Sequence, residues 1–223
     1  MRKARWIPRP PRLPPEPPLL AGEAFSSEQY ISDSTISGDL TEIAAQHLEL
    51  ERCHLVNVQL TGATLTRLAL TDVLVENSDL SGADLDESSF NRVEVRGCRM
   101  SGTILARCQF RDVLFLGCRM DGTNFRMSKA ERATFEGADL HEADFYAATL
   151  DGTRFFDSDL RGAEFSKAQA SGTRFHGSSL VNLQGAQYLS GAVIDSSQVV
   201  PLALGVLGAL GIRIDDDREP EER

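Results

Sequence analysis

From Ala133 to Asp157 the chain reads ATFEG ADLHE ADFYA ATLDG TRFFD, five blocks whose third residues are Phe135, Leu140, Phe145, Leu150 and Phe155. The first residue of each block is Ala or Thr. Followed outward in both directions, the third position (the centre) stays apolar from Leu50 to Leu180 with no insertion or deletion. It occupies 27 consecutive positions: twelve Leu, nine Phe, two Met, two Val and two Ala. The first position, from Leu48 to Ser178, holds only Ala, Ser, Thr, Val, Cys and Leu. Neither a 3.6-residue helical period nor simple alternation keeps two such columns in phase.

A residue shares a side with the one two places earlier only in extended backbone, so each block is a short extended segment with two side chains inward and three facing water. A pattern that restarts every five residues must turn at every block and winds around its two buried columns. A slower repeat sets the number of blocks per coil. Gly62, Gly82, Gly102, Gly122 and Gly162 each stand two places after a centre and differ by multiples of twenty. Phe115, Phe135, Phe155 and Phe175 form one twenty-residue series, and Phe125, Phe145 and Phe165 another. Like stacked on like, with glycine at one corner where positive φ is needed, predicts four blocks per coil and a rod of square section. The 27 blocks make about seven coils, roughly 32 Å tall at about 4.8 Å per coil.

Composition excludes several classes. The chain has 223 residues, 41% apolar, enough for a core, and a net charge of −10 that argues against non-specific nucleic-acid binding. The four cysteines, Cys53, Cys98, Cys108 and Cys118, all fall in the inner column and form no C-x-x-C pair, so they read as inert core. His47, His54, His141 and His176 have no metal or nucleophile spacing, and there is no phosphate-binding glycine loop. No catalytic residue, cofactor or metal is expected. Prolines occupy the place of a secretory apolar region, and Val199 to Ile212 is too short to span a bilayer, so the reading is a cytoplasmic protein without membrane contact.

Ala83-Asp84-Leu85-Asp86-Glu87, Ala138-Asp139-Leu140-His141-Glu142 and Ala143-Asp144-Phe145-Tyr146-Ala147 resemble the A-[DN]-[LF]-x-x unit of the pentapeptide-repeat proteins. The resemblance covers residues 48–182. It implies an all-β solenoid, a right-handed quadrilateral parallel β-helix with four repeats per coil. The chain departs from the unit before the centre, where only Asp79, Asp84, Asn124, Asp139, Asp144 and Asp159 keep Asp or Asn.

The ends read differently. Residues 1–20 carry five basic residues and seven of the nine prolines, so a flexible extended arm is expected, with Trp6 as a potential anchor. Residues 21–47 read as an irregular first coil, and the register breaks at Gly185. Ser196 and Ser197 can cap a helix over 198–210 within a cap spanning 183–212, followed by an acidic, solvated tail at 213–223. That helix is apolar nearly all round. The segment from Ser190 to Ile212 also resembles the C-terminal cap of quinolone-resistance pentapeptide proteins, which implies a homodimer through Val199, Val200, Leu202, Leu204, Val206, Leu207 and Leu210.

With no cleft expected on a convex rod, function is assigned to the surface. The resemblance implies a protein partner, with imitation of DNA at a type II topoisomerase (DNA gyrase or topoisomerase IV) as the named role and an adaptor or scaffold as the alternative. Two acidic surfaces stand out, one with Asp84, Asp86, Glu87, Asp144 and Glu164, the other with Asp139, Glu142 and Asp159. Arg67, Arg107, Arg126 and Lys167 interrupt the first. A separate outward apolar group is Val56, Leu74, Leu114, Leu116 and Phe156, open to a partner or to the arm.

Overall fold

The computed structural model describes residues 8–21 and 25–212. The chain forms β1 (Leu19–Ala21), β2 (Tyr30–Ser32), β3 (Thr35–Asp39), β4 (Ala44–Gln46), β5 (Glu49–Glu51), β6 (His54–Gln59), β7 (Thr64–Thr66), β8 (Ala69–Glu76), β9 (Ser89–Arg96), β10 (Gln109–Leu116), β11 (Lys129–Glu136), β12 (Arg154–Phe156) and α1 (Val199–Ala209). Every strand pairing is parallel.

The pairing register is twenty. Leu70, Phe90, Phe110 and Ala130 lie opposite one another on successive coils, as do Val75, Val95, Phe115, Phe135 and Phe155. Isolated bridges supply the other two sides, Asp79–Arg99–Arg119–Asp139–Asp159 and Asp84–Ile104–Asn124–Asp144–Glu164. Four blocks therefore close each coil of a parallel β-solenoid. At the ends the step falls to nineteen, with Thr35 opposite His54 and Arg174 opposite Val193.

All 27 centres and all 27 inner residues are buried. Phenylalanines fill the axis of the C-terminal half: Phe115 and Phe135 stack at 4.9 Å and 8°, Phe125 and Phe145 at 4.8 Å and 2°. The two stacks meet edge to face, as Phe125 and Phe135 do at 88°, the arrangement that the ring quadrupole favours. Some polar inner residues donate to the preceding coil, whereas Ser128 Oγ and Thr153 Oγ1 are buried without a partner. Thr103 Oγ1 reaches the Leu80 carbonyl at 2.8 Å and Thr173 Oγ1 the Leu150 carbonyl at 2.7 Å, so a hydroxyl sits in the core with its bond made.

The corners correct one sequence expectation. Positive φ occurs two places after every centre from Arg52 to Asn182, at all four corners, and not only where glycine stands. The backbone itself demands the left-handed conformation to turn, as in the bend closed by Ala83 N–H to Leu80 C=O at 3.0 Å. Arg, Asp, Glu, Asn, Met, Lys and Ala residues adopt it as well.

The described part of the arm runs along the rod. β1 pairs with β3, adding a strand at the N-terminal edge. The preceding residues descend past several coils. Arg12 N–H donates to Asp72 Oδ1 at 3.0 Å and Arg9 N–H to Asp112 Oδ1 at 3.3 Å. Trp6, Arg2, Lys3, Arg5 and the acidic tail at 213–223 lie outside the described residues.

At the other end Asp195, rather than a serine, is the cap. It accepts from Ser197 N at 2.9 Å, while Gln198 Oε1 accepts from Asp195 N at 2.9 Å, a capping box that opens a short 3₁₀ turn before α1. Buried Gln198 then donates through Nε2 to the carbonyls of Ser178, at 2.7 Å, and Phe175, closing the last coil. No described helix is long and apolar enough to cross a membrane.

Candidate functional site

Because the solenoid turns its two apolar columns inward, every chemically distinctive group outside them stands on the skin or at the ends. Among the described residues no three His, Cys, Asp or Glu side chains are grouped to hold a metal. The four cysteines are free and buried, and burial pushes the Cys98 and Cys108 thiols up to about 12, where thiolate chemistry is absent. His54 pairs with Glu76 at 3.0 Å, and His141 stands 3.9 Å from Glu142.

The twenty-residue register sets Asp144 beside Glu164 and Asp139 beside Asp159, but Ile104 and Asn124 stand between Asp84 and Asp144, and half of the eight charges are matched. Asp86 is paired with Arg107, Glu87 with Arg67 at 2.9 Å and Arg107 at 3.4 Å, Asp144 with Arg126 at 2.9 Å, and Asp159 with Arg161 at 2.5 Å. The Arg161 guanidinium holds the Asp159 carboxyl below its ordinary value. Asp84, Asp139, Glu142 and Glu164 have no Arg or Lys partner among the described residues. Burial raises the Asp84 carboxyl against the opposing pull of Arg107. Asp84 and Asp139 are occupied locally, accepting from the main-chain N–H of Asp86 at 3.0 Å and of His141 at 3.2 Å.

The apolar side is less open than its sequence positions imply. Val56, Leu74, Leu114 and Phe156 are half-buried, and only Leu116, at 37%, is exposed. Next to this side runs a corner column that sequence reading missed: Asp72, Arg92, Asp112 and Arg132, one per coil. Arg92 grips Asp72 through two bonds of 2.6 Å, and Arg132 grips Asp112 at 2.7 and 2.9 Å. Asp72 and Asp112 are 5% and 2% exposed although they occupy outward positions, and each also accepts from the arm. Hydrogen bonds from Arg132, and then from the Arg9 main chain, lower the Asp112 carboxyl. Burial would raise Asp72, but the bonds from Arg92 and Arg12 outweigh it and leave this carboxyl lowered too. The signal was present in the sequence as acid and base alternating every twenty residues.

At the C-terminal end α1 lies across the last coil. Leu202 and Val206 pack on the core, Leu207 is half-buried, and Gly205 lets the helix approach closely, since a Cβ there would meet Ala186 Cβ at 3.3 Å. That glycine thus serves contact within the chain. Other apolar side chains of this segment are open: Val199, Val200, Leu204 and Leu210 are 53%, 66%, 50% and 66% exposed. A groove of about 630 Å³ between α1 and the last coil is lined by Val181, Leu183, Gly185, Val200, Leu204 and Gly208, among others.

Comparison with known proteins bears on this architecture. A family model described as pentapeptide repeat region matches residues 88–165 and 108–184. Full-length QnrB1, a plasmid-mediated fluoroquinolone resistance protein, is similar at 24% identity over 87% of this chain and 97% of its own, with a TM-score of 0.39. HetL, a pentapeptide repeat protein involved in heterocyst differentiation regulation in the cyanobacterium Nostoc sp. strain PCC 7120, is 18% identical over 75% of this chain and 87% of its own, with a TM-score of 0.33. The A-module of the Azotobacter vinelandii mannuronan C-5 epimerase AlgE4 is 11% identical over 78% and 70%, with a TM-score of 0.36. No curated protein matches the chain in sequence. The repeat-region match falls on the same two buried columns that run unbroken from 48 to 180, so residues 88–184 carry a pentapeptide repeat region.

Proposed function

We propose that the protein is a non-catalytic rod that works by binding other protein surfaces and that pairs with a second copy end to end through α1. The observation that carries this reading is the exposed apolar surface of the α1 segment. Four large apolar side chains of this one segment, Val199, Val200, Leu204 and Leu210, are each at least half exposed, and exposed apolar surface of this kind favours burial against a complementary surface. A two-fold arrangement would set Val200, Leu204 and Leu210 against their own counterparts. Light scattering at micromolar concentration tests it: a dimer mass is expected, and a monomer mass overturns the pairing.

Among partners, we favour an adaptor role over imitation of DNA. Duplex DNA presents a charge about every 1.7 Å, whereas Asp86, Glu87, Asp144 and Asp159 are each neutralised by an arginine. Topoisomerase binding is kept as the second reading. It draws on the column of Asp84 and Glu164, neither of them in an ion pair with Arg or Lys among the described residues, and on the likeness of the C-terminal segment to the quinolone-resistance cap. A gyrase supercoiling assay with and without a quinolone separates the two: indifference in both arms supports the adaptor, and inhibition or drug protection supports the topoisomerase.

A further inference from the structure

The arm's contacts with the rod follow a shared pitch. A polyproline II strand advances about 9.3 Å per three residues, and two coils of a parallel β-solenoid advance about 9.6 Å. Arg9 and Arg12 are three residues apart, and their acceptors Asp112 and Asp72 lie two coils apart. Proline supplies no N–H, so within Pro8–Pro18 few main-chain donors exist. Those of Arg9 and Arg12 meet the two corner carboxylates. Each carboxylate is held in place from its other side by a two-bond arginine grip, Arg92 on Asp72 and Arg132 on Asp112. The adjoining outward column, Leu74, Glu94, Leu114 and Thr134, is buried or half-buried along the same stretch, with Glu94 and Thr134 at 8% and 5% exposure. Nearer the N-terminal edge, Thr35 fastens the arm by donating from its N–H to the Pro18 carbonyl at 2.8 Å and from Oγ1 to the Pro17 carbonyl at 3.2 Å.

We propose that this corner is a docking track for a proline-rich strand, recognised by the match between its rise and the coil spacing, and that residues 8–18 are its tethered occupant. The partner that fits the track is a proline-rich peptide segment of another protein, carrying two non-proline residues three apart whose main-chain N–H groups can donate. The tether keeps the track closed in the resting chain, because a linked ligand competes at millimolar effective concentration. The inference does not depend on pairing through α1.

The test uses the full chain. In Arg9→Pro/Arg12→Pro the arm keeps its extended character and loses both donors. A fluorescent peptide with the native sequence of residues 8–18 is then titrated against each form. Its affinity is expected to rise at least about tenfold over wild type. In the quadruple variant that adds Asp72→Asn and Asp112→Asn, affinity should fall back by about tenfold or more, since charge-assisted bonds become neutral ones. Equal peptide binding with and without the two aspartates overturns the track. Unchanged proteolytic protection of the arm in Arg9→Pro/Arg12→Pro overturns the role of the two donors, and circular dichroism in each variant reports whether the solenoid is intact.

Discussion

At the residue scale the fold rests on side chains that are individually ordinary and collectively in register. Phe135 is 2% exposed and touches aromatic rings above, below and beside it. Phe135→Ala is expected to lower stability by about 3–5 kcal/mol, through lost transfer energy and the cavity left behind; equilibrium denaturation in urea measures it, and a change under about 1 kcal/mol would contradict the inward stack. The corners give a prediction of opposite sign. Ala147 has φ 56°, a conformation that a Cβ makes unfavourable by about 1–2 kcal/mol. Ala147→Gly should therefore stabilise the protein by a few tenths to about 1 kcal/mol after the added chain entropy is deducted. At Gly185 the same reasoning runs in reverse: a Cβ would sit 2.3 Å from Ser166 N and 2.6 Å from the Phe165 carbonyl carbon, so Gly185→Ala must displace backbone and should destabilise. The inward residues were legible in the sequence because burial filters for size and polarity. The corner conformations were legible only where glycine stood, since a backbone that forces positive φ on arginine or glutamate leaves no mark on the choice of side chain.

At the element scale the two ends differ in what holds them. The arm is fixed by carboxylates whose folded values lie below the ordinary 3.8. For a lowered carboxyl the stabilisation is complete above the unfolded value and is lost as pH falls through the folded one. Protection of the arm from proteolysis should persist at about pH 5 and disappear only at pH values below 3.8, while the coils, built on apolar contacts, stay intact. Loss of protection near neutral pH would show that these carboxylates do not hold the arm. Helix α1 is held by Leu202, Val206 and the Gln198 plug, and its exposed side chains are free of those contacts. Leu204→Glu is expected to turn a dimer into a monomer in light scattering with little change in melting. A large drop in melting temperature instead would place Leu204 in the monomer's own packing. The helix was legible from its apolar run and the glycine that ends it. Its cap was missed because Asp195 and Gln198 act together across a 3₁₀ turn that two neighbouring serines obscured.

At the scale of the whole molecule, a solenoid of about seven turns has a large skin and little concavity, so a partner must read columns running along the rod. Acidic residues in those columns are interleaved with arginines, many of them one coil away, as Glu87 is from Arg67 and Arg107. Exposed pairs of this kind contribute modestly to stability, about 0–1 kcal/mol each, but they flatten the field that a DNA imitator needs. If the protein does inhibit gyrase, Glu142→Lys combined with Glu164→Lys should weaken inhibition without moving the melting curve, and inhibition that survives the pair unchanged removes Glu142 and Glu164 from the mechanism. The sequence by itself determined the coil: two apolar columns at spacing five and a stacking period of twenty fix which residues go inward and which lie above one another, because burial and register act locally and repeat. The tertiary structure decided what covers the rod. A proline-rich arm has no periodic apolar face to betray its place, and its docking on Asp72 and Asp112 depends on two pitches that coincide only once the coils are stacked.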